Sequence, residues 1–244
     1  MRRAVSLVAA LLVSTGSGVV AARAYLWAVG GEAVTAAAEL PVPSRADAPG
    51  SEEVPSESPG PLRVFAIAGG VRLRLPAAGP LALAYHEASM PRRVTLRPLG
   101  SCVKCRNRWK FRPQRVGPSD LEYMVMDTRG RAGAATSAVD VVVRRWDRVR
   151  SPVTGRVWRV RHYALYDRYP DVRVAIVPRG RPDRLVVIIH LRDPRVRPGE
   201  RVVASETVLG WARRFPFESQ VDRYVRGRFP HVHIEVKRPP ARRS

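Results

Sequence analysis

The sequence predicts a mostly β protein, a barrel or sandwich, and its patterning is the reason. From Leu62 onward the apolar residues come in short runs broken by Gly and Pro: "LRVFAIA", "VRLRL", "LALAYHEA", "RVTLRPL", "EYMVM", "AVDVVVRR", "GRVWRV", "VRVAIV", "LVVIIHL", "ERVVA", "HVHIEV". Many are Val-rich or alternate apolar residues with Arg, the period of two that a half-buried strand requires. Helical periodicity is scarce, and "ESQVDRYVRG" is the best short candidate.

The segments before these runs read differently. Arg2 and Arg3 precede an apolar stretch from Ala4 to Ala22 and the small-residue run "AARA". This is the layout of a signal peptide or, if uncleaved, a signal anchor over residues 1–30. No cysteine follows it, which argues against a lipoprotein anchor. Residues 31–61 hold six acids and one base among Pro, Ala and Ser, and have no apolar period. They read as a disordered linker. Residues 62–123 form a β-rich extension, 124–238 the main domain, and 239–244 a basic tail. The bulk of the chain is expected outside the cytoplasm, secreted or held at the cytoplasmic membrane.

The chain has 43 Lys+Arg against 21 Asp+Glu, a formal charge of +22. Such a field favours anionic partners. Export disfavours nucleic acid among them, and no helix-turn-helix or stacking-aromatic motif supports it. Anionic cell-wall polymers and lipid headgroups remain. Cys102 and Cys105 form "CVKC", without the second pair that a zinc ribbon needs. A local disulfide or a reduced surface loop is expected, with no thioredoxin-like βαβ context around it.

Two of the five histidines, His231 and His233, share "FPHVHIEV". On a strand they face the same way, as a metal or proton-transfer pair would. The bland alternative is an edge strand with two solvent-facing polar residues.

Four segments settle this by a resemblance: "TSAVDVVV" from Thr136, "SPVTGRVWRV" from Ser151, "VVIIHLRDPRVRPGERVVASETVLG" from Val186, and "HVHIEV". Together they resemble the LytM-type, or lysostaphin-like, zinc metallopeptidases that cut peptide cross-links in bacterial peptidoglycan. The resemblance covers roughly residues 124 to 237. It implies a LytM-like β-barrel or sandwich related to barrel-sandwich hybrids. It also implies Zn2+ on Asp140 and His233, and catalytic roles for His190 and His231. Biotinyl and lipoyl carriers share the "PVTGRV" phrases but need a modified lysine, which is absent near them. The family's first metal-binding histidine is replaced by Thr136, and its motif glycine by Ala138. A catalytic zinc normally takes three protein ligands, and a threonine hydroxyl is a poor one. His86 in "LAYHEASM" is the candidate substitute; His162 in "RVRHYALYD" reads as a loop residue. The stretch "WARRFPFESQVDRYVRGRFP" departs from the family's short turn, and Phe215 and Phe217 are placed to plug the cleft. The implied function is hydrolysis of wall peptides. The alternative is an inactive module that binds the wall or regulates a partner hydrolase.

Overall fold

The computed structural model describes residues 61–89, 91–105 and 121–240. The signal segment, nearly all of the acidic linker, and the end of the basic tail lie outside the described residues. No helix of the described residues is long and apolar enough to cross a membrane.

The described chain is mostly β, as the sequence predicts. Its strands are β1 (Val64–Ala68), β2 (Val71–Arg74), β3 (Ala82–His86), β4 (Arg93–Val94), β5 (Arg97–Pro98), β6 (Ser101–Lys104) and β7 (Glu122–Val125). Then follow β8 (Ala138–Val142), β9 (Arg148–Arg150), β10 (Gly155–Leu165), β11 (Tyr169–Pro178) and β12 (Leu185–Arg192). The last are β13 (Arg201–Val202), β14 (Val208–Ala212) and β15 (His231–Lys237). The helical expectation for "ESQVDRYVRG" shrinks to one 3-10 turn, Val221–Arg223. Its apolar residues Val221, Tyr224 and Val225 pack on Ala82, Ala84 and Val142, so tertiary burial holds the segment without a long helix.

A large sheet runs β13-β10-β11-β12-β15-β8-β3-β7-β6, and a small one runs β2-β1-β5. Most pairs are antiparallel; β3–β7 and β6–β7 are parallel. Alternation along the central strands separates two faces. Leu83 and Tyr85 of β3, Val139 and Val141 of β8, and Val232, Ile234 and Val236 of β15 turn one way. They share a core with Phe65, Ala66 and Leu73 of the small sheet. Residues 82–86, from the sequence-defined extension, are thus a strand of the main sheet, paired with β8.

Gly155 shows why "PVTGRV" reads as it does. A Cβ there would lie 2.2 Å from the Val177 carbonyl oxygen across the β10–β11 pair. His162 lies within β10, not in a loop, because β10 stays paired with β11 as far as Leu165. Cys102 and Cys105 form a disulfide at the end of β6.

Candidate metal centre

Three neighbouring strands build the site, and their register accounts for it. Asp140 on β8 stands opposite His233 of β15 on one side and Ala84 of β3 on the other. His86 lies two residues beyond Ala84, on the same face and diagonal to Asp140. Imidazoles from two strands therefore close on one carboxylate. His86 Nε2 and His233 Nδ1 each lie 3.0 Å from Asp140 Oδ1. All three residues are buried, and their candidate ligand atoms lie within 4.8 Å of one another. Thr136 stands in the turn before β8 and does not line this cavity; its carbonyl accepts the Leu96 N–H.

The donor set fits a divalent cation. The Glu87 carbonyl, 2.9 Å from His86 Nδ1, can only accept a hydrogen bond. That assigns a proton to Nδ1 and places the lone pair of the neutral ring on Nε2. This lone pair faces a carboxylate oxygen, which also only accepts. A positive charge has to sit between them, either a proton or a metal ion. Two imidazoles and a carboxylate are a known protein ligand set for catalytic zinc.

The electrostatics favour a positive charge at this trio, a proton or a metal ion. Burial pushes the Asp140 carboxyl up, but the His86 charge and hydrogen bonds from His233 and His86 outweigh it. They hold the group well below the usual carboxylate range. Burial pushes His233 down, yet its hydrogen bond to Asp140 and the neighbouring Glu235 carboxylate raise it to about 9. At His231 burial dominates and pushes the imidazole down to about 4, despite Asp140. Glu235 is fully buried, with Oε2 3.9 Å from His233 Nε2. Among the described residues, neither Glu235 oxygen nor His233 Nε2 has a hydrogen-bond partner. His233 is thus flanked by two carboxylates, Asp140 on Nδ1 and Glu235 beyond Nε2.

His190 reaches the site through a bulge. Val172 pairs with Leu191 and Val174 with Ile188, so β12 carries one more residue than β11 between these pairs. Ile189 pairs with His233 and faces the cavity; plain alternation would send His190 to the other side. His190 instead adopts φ +69°, and it lines the same cavity as Ile189. A left-handed residue within a bulge re-aims a side chain in this way. Its Nδ1 lies 2.7 Å from Asp171 Oδ2, and the Tyr163 hydroxyl donates to that same oxygen at 2.6 Å. Asp171 Oδ1 accepts the Val172 N–H at 2.8 Å. The carboxylate fixes Nδ1 as the protonated nitrogen and leaves Nε2 as a free acceptor.

A cavity of about 910 Å³ opens over these groups. It brings together His86, Asp140, His190, His231 and His233, with Arg129 and Arg131 at its wall. The His190 and His231 ring centroids are 5.5 Å apart. Phe215 sets its ring edge-on to His190 at 4.7 Å and stacks on Phe217 at 4.9 Å. Both phenylalanines line the cavity, which remains open. Sequence reasoning missed Asp171, Tyr163 and Glu235. The signals were weak: an acid at the start of "DVRVAIV", and a Glu two residues after "HVH".

No protein-family model matches the chain, and no curated protein matches it. Among solved structures it is similar to the solution structure of lysostaphin, at 16% identity and a TM-score of 0.32. That match covers 41% of this chain and 35% of the other, little more than a third of that protein's length. The likeness is faint and says nothing of any residue's role.

Proposed function

We propose that the chain is an exported zinc-dependent peptidase that cuts peptide cross-links in bacterial peptidoglycan. One observation carries the reading: His86, Asp140 and His233 converge within 4.8 Å at the buried floor of a cavity. His86, from β3, would stand in for the histidine that the resemblance expects at Thr136. The resemblance of the segments around His190 and "HVHIEV" to peptidoglycan peptidases supports the substrate class.

His86, Asp140 and His233 would hold the metal. Zinc, when bound, supplies Lewis acidity to a scissile carbonyl. The chain's own groups do the rest. His190, held by Asp171, presents Nε2 to the cavity as an acceptor for a proton in transit. His231 stands beside it on the strand that carries His233. Phe215 sets an apolar ring beside both imidazoles, 4.7 Å from His190 and 5.3 Å from His231.

The test is metal content of the purified full chain by elemental analysis, with wall-suspension clearing as a second readout. About one zinc per chain is expected, lost in His233→Ala and in His86→Ala, together with clearing activity. Folded protein without zinc, iron or manganese would sink the enzyme reading. It would leave a module that binds the wall or a partner hydrolase.

A further inference from the structure

A second cavity, of about 600 Å³, adjoins the first; Tyr163 lines both. Its lining includes Arg145, Trp146, Arg192, Arg213 and Arg214. The lining acids are already engaged. Asp171 holds His190 and Tyr163, and Asp193 accepts from Arg192 at 2.6 Å. Arg213 Nη1 is buried and has no hydrogen-bond partner among the described residues. A buried guanidinium N–H without an acceptor is costly, and an oxyanion is its natural complement.

Two of the four lining arginines lie against Trp146. The Arg145 and Arg192 guanidinium carbons lie 5.0 and 5.2 Å from the Trp146 ring centroid. Arg192 also lies 5.8 Å from the Trp211 centroid, and Arg195 4.9 Å from it. Contact with a ring occupies the face of a guanidinium and leaves N–H groups at its edge. The Trp146 ring therefore holds Arg145 and Arg192 beside the cavity. Arg192 already donates to Asp193, and Arg213 lies against Phe215 at 5.9 Å. The N–H groups of Arg145, Arg213 and Arg214 are suited to phosphate or carboxylate oxygens. Trp146 itself is 66% exposed, so the part of its ring that the two guanidinium groups leave open is an apolar surface against which a sugar ring can rest.

We propose that this second cavity binds an oxyanion, phosphate or carboxylate, borne on a carbohydrate polymer. That the polymer is the bacterial wall rests on the proposed function; the oxyanion site itself does not. A strand lying across Tyr163 would set its anionic group among the arginines and its peptide over the histidines.

The experiment is calorimetric titration of the full chain with glucose 1-phosphate, with glucuronate, and with glucose. Binding of a charged sugar, and not of glucose, is the expected result. Whichever of the two binds more tightly identifies the oxyanion. The double variant Arg213→Gln/Arg214→Gln should weaken that binding by roughly tenfold or more. Arg72→Gln/Arg97→Gln, which removes two charges from exposed positions on β2 and β5, should leave it within about twofold. Zinc content of the first double variant should equal that of the parent, so this result stands apart from the metal test. Equal weakening by both double variants would reduce the site to net charge and overturn it. So would failure of both charged sugars to bind, or their failure beside tight binding of a single-stranded oligonucleotide.

Discussion

The two faces of β3, β8 and β15 share a backbone and carry opposite chemistry. One face carries Leu83, Tyr85, Val139, Val141, Val232 and Ile234 into a dry core. The other carries His86, Asp140, His231, His233 and Glu235, all buried and all ionisable. Every residue on the first face is stabilised by leaving water. On the second, burial works against each charge, and mutual pairing is the offset. Among the described residues His233 Nε2 and both Glu235 oxygens lack a hydrogen-bond partner, with 3.9 Å between Nε2 and Oε2. The difference teaches that strand alternation alone assigns residues to a face, and that ionisable groups gathered on one face stay buried only by pairing with one another.

The comparison breaks most sharply at Asp140. Replacing it alone by Val leaves two buried imidazoles without their common acceptor. The expected loss of stability in metal-free protein is about 3–5 kcal/mol. Replacing the trio together, as His86→Leu/Asp140→Val/His233→Leu, should be roughly neutral, because the polar face then resembles the apolar one. Guanidinium unfolding of both variants is the measurement. A triple variant as unstable as the single one would mean that the trio stabilises the fold.

Glu235→Gln comes next in size. Its carboxylate flanks His233 on the side away from Asp140. An outer carboxylate orients a ligating imidazole and raises its basicity, and losing one typically lowers metal affinity by about 10- to 100-fold. Competition against a zinc chelator dye would read this out. Unchanged affinity would show that Glu235 serves the strand and not the metal.

On the dry face, Ile234→Val removes one methylene from a fully buried side chain. A loss of about 0.5–1.5 kcal/mol is expected, with zinc content unchanged. Altered zinc content would show that the two faces are coupled through β15.

Much of this was legible in the residues. Alternation in "HVHIEV" and "AVDVVV" placed His231, His233 and Asp140 on strands, and period two is a local property of the chain. His86 was legible only as a candidate. Its diagonal relation to Asp140 depends on β3–β8 register, a pairing across more than fifty residues that no local pattern encodes. The aim of His190 was illegible for a related reason. A bulge depends on a mismatch between two strands, and neither strand announces it alone. Asp171 went unseen because its partners come from β10 and β12, elements that meet only in the folded sheet.

The smallest expected effect is at Thr136, and it tests the substitution of one ligand by another most directly. On the resemblance read from the sequence, this residue takes the place of a metal-binding histidine. In the structure its carbonyl supports the Leu96 N–H, and its side chain lies outside the lining of the cavity. Thr136→Ala should therefore change stability by less than about 0.5 kcal/mol and leave zinc content unaltered. His86→Ala, by contrast, should lose the metal. Paired elemental analyses of these two variants distinguish a site that draws a ligand from β3 from one that draws it from the turn before β8. If Thr136→Ala lost zinc and His86→Ala kept it, the site would be organised around β8 and β15 alone. The imidazole of His86 would then be a hydrogen-bonding neighbour of Asp140 and nothing more.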